Sequence, residues 1–353
     1  LELAAEALES AGLGELRRRG LTIGTFLGVS ATPYRAVLPS PARFEDLSRT
    51  LESLPAWRAL PQPARETVER DLASRAKTAE IAPTALVGNL LNMVAARVAH
   101  AFDLTGPSLA IDTACSSSLV AVHLACEALK RGECDVALAG GVHLSLDPDV
   151  WHFLKAAGVL SPTGRCVPFA NGADGIVPGE GGAILVLRRW SDARAAADPV
   201  RAAILGSAIG GDGRAISPMV PNPRGQRATI EAAYRNAGVE PQSIAALEAH
   251  GTGTLIGDPI ELGVQAEVFS LAPAGSIAVG SVKSNLGHLL AAAGIAGLTK
   301  MIVSLERREL PPTLHAQPPN PRLPLANSPL RIAHRRTRLD ASHPLRAGVS
   351  AFG

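Results

Sequence analysis

The stretch Ile111-Asp-Thr-Ala-Cys-Ser-Ser-Ser-Leu119 turns from an apolar strand into a helix, with Cys115 at the turn. Residues 108–112 carry the strand. Residues 116–131 carry the helix, whose apolar stripe is Leu119, Val122, Cys126 and Leu129 and whose end is marked by Gly132. The same unit repeats on both sides. Upstream, residues 23–29 read as a strand and residues 86–102 as a helix. Downstream, residues 134–139 and 182–187 are near-continuous apolar runs, as expected of strands buried on both faces. Further strands are expected at 202–208, 244–248 and 276–282, with helices at 224–237, 259–269 and 286–308. This alternation predicts an α/β fold, a mostly parallel and helix-covered sheet in two βαβ-type halves. The charged stretch 188–201 is the expected seam, dividing the chain into residues 1–190 and 191–353. Residues 31–85, rich in proline and charge, read as an excursion from the core with helical patches such as 64–76.

Composition narrows the function. The chain has 353 residues, 46% hydrophobic and 19% charged, which suffices for a large core and excludes a disordered chain. Its 34 basic and 32 acidic residues are interleaved and leave a formal charge of +2, so nucleic acid is not the expected partner. Four cysteines without a Cys-x-x-Cys pair make neither a disulfide framework nor a zinc site, and no metal is expected. The apolar run 286–305 is Ala/Gly-rich and carries His288 and Lys300, so no membrane span is expected. Residues 1–12 are amphipathic and carry Glu2, Glu6 and Glu9, unlike a signal peptide; a cytoplasmic, reducing location is expected. Leu1 opens a helical pattern without a cap and Gly353 closes a strand-like run, so the chain reads as a segment of a longer polypeptide.

Three strand-to-helix turns carry reactive groups. At the first, Cys115 faces the free N–H groups of a helix start, which favour a thiolate and can hold an oxyanion; a buried structural cysteine is the alternative. The second is Leu247-Glu-Ala-His-Gly-Thr-Gly-Thr-Leu-Ile-Gly-Asp-Pro-Ile-Glu261, where His250 ends a strand inside a glycine-rich loop. Asp258, Pro259 and Glu261 read there as the cap and first turn of a helix. The loop matches neither Gly-x-Gly-x-x-Gly nor the P-loop pattern, and a core histidine is the alternative. The third is Val279-Gly-Ser-Val-Lys-Ser-Asn-Leu-Gly-His-Leu-Leu290, with Lys283 and Asn285 in the turn and His288 at a helix start that favours neutral imidazole. One nucleophile and two imidazoles at carboxyl ends of strands make a candidate site.

Asp112-Thr-Ala-Cys-Ser-Ser-Ser118, Glu248-Ala-His-Gly-Thr-Gly-Thr254 and Lys283-Ser-Asn-Leu-Gly-His288 together resemble the β-ketoacyl synthase family, in its type I polyketide or fatty-acid synthase branch. Asn171-Gly-Ala-Asp-Gly-Ile-Val-Pro-Gly-Glu-Gly-Gly182 and Gly348-Val-Ser-Ala-Phe-Gly353 resemble two further motifs of that family, so the likeness runs over nearly the whole chain. The resemblance implies the thiolase-like fold, two βαβ-type repeats in a five-layer αβαβα sandwich, and a homodimer. It implies decarboxylative Claisen condensation of an acyl chain on Cys115 with a malonyl-type extender on acyl carrier protein. His250 and His288 would hydrogen-bond the extender thioester, and Lys283 would support the site. Asp174, Glu180, Thr252, Thr254, Asn285 and Phe352 would be supporting residues, although Asp174 and Glu180 equally suit a role in fixing turns. No cofactor is expected in the domain itself, since substrates ride on the phosphopantetheine of the carrier protein. Other domains of a multidomain synthase are the remaining expected partners.

The resemblance has departures. It implies an opening strand before Leu1 and a glycine-rich segment after Gly353 that supplies a second oxyanion donor. Pro178 stands where many relatives carry arginine. Residues 31–85 and Gly211-Asp-Gly-Arg214 resemble iterative enzymes that make polyunsaturated or other long chains. A non-elongating transacylation or docking module is the alternative function, but such relatives usually lack the nucleophile or one histidine. A thiolase is a poorer fit, because thiolases use a second cysteine near the end and none follows Cys166. Cys126 and Cys134 read as core residues, and His123, His143, His152 and His315 have no partner in the motifs. Arg331, Arg335, Arg336 and Arg338 read as a solvated face or a landing patch for an acidic carrier protein.

Overall fold

Among the described residues ten strands set the frame: β1 (Ile23–Gly28), β2 (Ser108–Ile111), β3 (Val136–His143), β4 (Gly181–Arg188), β5 (Ala246–Glu248), β6 (Ile277–Gly280), β7 (Glu309–Leu310), β8 (Leu330–Ile332), β9 (Thr337–Arg338) and β10 (Ala347–Val349). The computed structural model describes residues 1–18, 20–30, 40–79, 83–146, 148–215, 220–339 and 344–353. One sheet runs β2-β1-β3-β4, parallel except for the antiparallel β4, and a second runs β10-β5-β6-β8, parallel throughout. The strands β7 and β9 pair as a small antiparallel ribbon. The chain forms two compact units, one of Leu1–Ser30 with Val94–Gly353 and one of Ala31–Met93.

Layering follows from which faces are apolar. The main helices are α1 (Glu2–Ser10), α2 (Pro41–Ser53), α3 (Gln62–Thr78), α4 (Met93–Phe102), α5 (Ser117–Arg131), α6 (Asp149–Ala156), α7 (Pro223–Ala237), α8 (Gly257–Val268) and α9 (Ala293–Arg307). Ala4 and Leu8 of α1 and Ala95 and Val98 of α4 close one face of the first sheet over Ile23, Leu27, Val136 and Leu138. Its other face packs on α5, whose buried Ala121, Val122, Ala125 and Leu129 share a core with Ile295 of α9. The same α9 packs on β5 and β10 of the second sheet, so α5 and α9 form a shared central layer. Beyond that sheet lie α7 and α8, with Ile230, Tyr234, Leu262 and Phe269 around Leu247, Ile277 and Val279. The order is helix, sheet, helix, sheet, helix, the thiolase-like arrangement.

Among its described residues the smaller unit is built on α2 and α3, with short helical segments at Pro55–Arg58 and Ala85–Asn89. Ser40 caps α2 by accepting the Arg43 N–H at 3.3 Å, α2 packs on α3, and Trp57 and Leu72 are its buried residues. The helical patch expected at 64–76 is the middle of α3.

Three expectations shift. The helix expected at 86–102 is broken, because Leu90 is extended between Ala85–Asn89 and α4. The helix expected from residue 286 starts at Ala293, because Gly287 at φ +78° ends a short turn (Lys283–Leu286) and a 3-10 turn (Leu290–Ala292) intervenes. Residues 202–208 form no strand, since among the described residues none pairs with them along a ladder. They border a cleft of about 1780 Å³ lined also by β4, α7 and α9. Ser207 there bonds the side chains of His123 and Asn236 instead. Among the described residues no helix is long and apolar enough to cross a membrane.

Candidate active site

Cys115 sits in a turn braced by its neighbours. Ser117 Oγ accepts the Thr113 N–H at 2.9 Å and donates to the Ala114 carbonyl at 2.6 Å, while Asp112 accepts the Ala114 N–H at 3.1 Å. Ala114 is held at φ +52°, so the chain reverses sharply and leaves the thiol half-buried just ahead of α5. Gly28 permits this packing: a Cβ there would lie 2.5 Å from the Ser118 nitrogen. The helix start does not produce the low thiol pKa expected from sequence. Burial pushes the Cys115 thiol up, and the Lys283 ammonium and a backbone N–H only partly oppose it.

The two histidines meet at a right angle, ring centroids 5.5 Å apart and planes 84° apart. His288 Nδ1 accepts the Leu290 N–H at 3.0 Å, and His250 Nδ1 accepts the Phe352 N–H at 3.3 Å. A nitrogen that accepts a backbone N–H carries no proton, so each neutral ring keeps its proton on Nε2. Burial drives both pKa values well below the usual imidazole value, and Lys283 adds to this. His288 is therefore neutral as expected, but not through a helix dipole, since α9 begins five residues later.

Lys283 is buried and donates to the His250 carbonyl at 2.5 Å. Burial lowers its pKa, against Glu248 and Glu261. Glu261 grips the histidine turn from α8: one oxygen accepts the His250 N–H at 2.7 Å, the other the Gly251 N–H at 2.9 Å. Asp258 accepts N–H groups of Gly253, Thr254 and Phe169. Burial raises Asp258 to about 6 and Glu261 to about 7.

This geometry agrees with the comparisons. The family descriptions "Beta-ketoacyl synthase, N-terminal domain" and "Beta-ketoacyl synthase, C-terminal domain" match residues 1–193 and 201–317. The chain belongs to the β-ketoacyl synthase family. Among curated relatives, a phenolphthiocerol/phthiocerol polyketide synthase polypeptide of Mycobacterium tuberculosis is 41% identical over 358 residues, covering 100% of this chain and 17% of that protein. Polyketide synthase GfsA of Streptomyces halstedii is 39% identical, covering 100% of this chain and 4% of that protein. Among solved structures, the ketosynthase from module 6 of the bacillaene synthase from Bacillus subtilis 168 superposes with a TM-score of 0.83 at 35% identity, covering 100% of this chain and 56% of that one. The chain thus spans a small part of the curated polyketide synthases and over half of the solved ketosynthase.

The remaining candidates divide. Phe352 lies against His250, ring centroids 5.4 Å apart, besides donating its N–H. Thr252 and Thr254 lie hydroxyl to hydroxyl at 3.4 Å, and Thr254 accepts the Gly257 N–H, so both shape the His250 loop. Asn285 is exposed, its Oδ1 taken by Ser284. Glu180 is exposed and accepts the Ser145 N–H at 2.5 Å; Asp174 accepts the Thr163 hydroxyl at 3.2 Å. These two carboxylates hold turns. Arg336 of the basic cluster is engaged by Glu309.

Reading the sequence for caps missed the roles of Asp258 and Glu261. The signal was there: two acids one turn apart, just after a glycine-rich loop whose N–H groups have no strand to pair with. In the structure Ile256, not Asp258, precedes the first turn of α8, and the Asp258 side chain faces the loop.

Proposed function

We propose that this chain condenses an acyl chain held on Cys115 with a malonyl-type extender carried on acyl carrier protein. The Cys115 sulfur attacks the acyl thioester, the thiol's proton passes to the departing pantetheine sulfur as its C–S bond breaks, and the acyl group stays on Cys115. The extender then loses carbon dioxide, and the electron pair of the broken C–C bond moves onto its thioester oxygen. His250 and His288 hydrogen-bond that oxygen through Nε2–H. The carbanion attacks the Cys115 thioester, a C–C bond forms and the C–S bond breaks, returning the thiolate. Lys283 supports the site by holding the His250 carbonyl, and Thr252, Thr254 and Phe352 shape the pocket around it. The observation that carries this reading is that a backbone N–H occupies both Nδ1 atoms. Preset donors of this kind stabilise negative charge as it develops.

Residues 1–190 supply the nucleophile and residues 191–353 the two histidines. Extender and acyl group both arrive on phosphopantetheine, and the neighbouring partners are other domains of a synthase. All four cysteines are free, which suits a reducing, cytoplasmic setting. The non-elongating reading is weaker, because nucleophile and both histidines are present.

The test is mass spectrometry of the protein after exposure to an acyl-pantetheine thioester. Acyl mass is expected on the Cys115 peptide alone, since Cys115 lies half-buried in the turn ahead of α5, whereas Cys134 and Cys166 are buried and Cys126 packs against the core of that helix. Acylation spread over Cys126, Cys134 and Cys166, or absent throughout, overturns the assignment. A homodimer is also expected, because β2 is an edge strand with Leu109 40% exposed. Sedimentation showing only monomer at micromolar concentration would remove that part of the reading.

A further inference from the structure

Glu248 and Lys300 form a buried ion pair that the mechanism above leaves unused. The Lys300 ammonium lies 2.6 Å from Glu248 Oε2, with the two side chains 6% and 2% exposed. The other carboxylate oxygen, Oε1, accepts the Val282 N–H at 2.5 Å. The slot is built for the pair by two glycines on different elements. A Cβ on Gly297 of α9 would stand 2.9 Å from Glu248 Cγ, and one on Gly280 of β6 would stand 2.8 Å from Lys300 Nζ. A buried ion pair is a weak source of net stability against an apolar pair of the same volume, so its presence here calls for another role.

Its connections supply one. Glu248 ends β5 two residues before His250. Val282, which it holds, precedes Lys283 in the next turn. Lys300 rides on α9, which follows His288 through a short 3-10 turn. The turn that carries Lys283 and the helix after His288 are thus both tied to the side chain of the residue that ends β5, two before His250. We propose that Glu248, anchored by Lys300, is a positioning residue that fixes the His250 and Lys283 turns in register with the helix after His288. The inference rests on the proposed condensation. Glu248 also heads the charges that raise the pKa of Lys283, which is consistent with their closeness.

Two paired variants separate positioning from mere charge balance. Glu248→Gln with Lys300→Met keeps an oxygen that can accept the Val282 N–H. Glu248→Leu with Lys300→Met removes it while leaving no unpaired charge. With malonyl-pantetheine thioester as probe, the Gln/Met protein should decarboxylate within about threefold of wild type. The Leu/Met protein should stay folded, with a lowered thermal midpoint from the unpaired Val282 N–H, and acylate Cys115 within about threefold of wild type. It should lose at least about tenfold in decarboxylation kcat, with KM within about twofold, the pattern of a lost transition-state interaction. A folded Leu/Met protein that decarboxylates within twofold of wild type overturns the proposal. So does a Gln/Met protein that loses tenfold, a result that holds even if the Leu/Met protein fails to fold. Failure of the condensation reading would show separately, as a wild-type protein that neither acylates on Cys115 nor decarboxylates the probe.

Discussion

Replacing Cys115 with alanine should abolish chain elongation, with a loss on the order of 10⁴-fold or more, while malonyl decarboxylation persists. The size follows from the chemistry: without sulfur there is no covalent acyl intermediate, and binding and oxyanion donors are all that remain. The selectivity follows from the geometry. The turn is braced by Ser117, Asp112 and the contacts of Ser116, none of which involves the thiol. The hydrogen bonds that set both imidazoles run to Leu290 and Phe352. The Cys115→Ala protein should therefore fold and still present both donors to an extender. Chromatography with mass detection of the condensed product, beside carbon dioxide release from malonyl-pantetheine, reads the two steps apart. Condensed product above about one per cent of wild type would remove Cys115 from the nucleophile's role.

The legible part of this molecule was the part written in local chemistry. The strand-turn-helix around Cys115 was readable because an apolar run, a small-residue turn and a helical stripe follow one another within about twenty residues. His250 was readable because it ends a strand in a glycine-rich loop, and His288 because it follows the turn of Lys283 and Asn285 at the start of a helical run of small residues. What bonds across distance was not readable. Glu261 reaches back to the N–H of His250, and Asp258 to Phe169 89 residues away. Such pairings depend on how two layers stack, which no local pattern encodes. The thiol illustrates a second limit. A helix start pulls a thiolate pKa down and burial pushes it up, and the sequence shows the first effect but not the depth of the second. The unpaired stretch at 202–208 has the composition of a strand, yet a strand is made by a neighbour, and no described residue pairs with it.

The second large effect is expected at the histidines. His250→Ala and His288→Ala should each slow decarboxylation of malonyl-pantetheine by about 100- to 1,000-fold, the usual cost of one preset oxyanion donor. Acylation of Cys115 should change by less than about threefold, because neither ring is bonded to the thiol's turn. The pH profile adds an independent check on the state of the rings. Both pKa values lie well below the usual imidazole value, first through burial and then through Lys283. A lowered pKa means that the rings stay neutral as pH falls past the usual value near 6.5, each with its proton on Nε2. No histidine titration should therefore appear between pH 8 and pH 6; a change centred near 7 that persists in both alanine proteins belongs to Glu261, which burial pushes up to about 7 and which holds the His250 turn. A fall in rate with an apparent pKa near 6.5, absent from the corresponding alanine protein, would mean that a ring takes up a proton in this range. The Nδ1 atom could not then be accepting a backbone N–H. That result would undo the neutral-donor arrangement even if both alanine substitutions proved as damaging as expected.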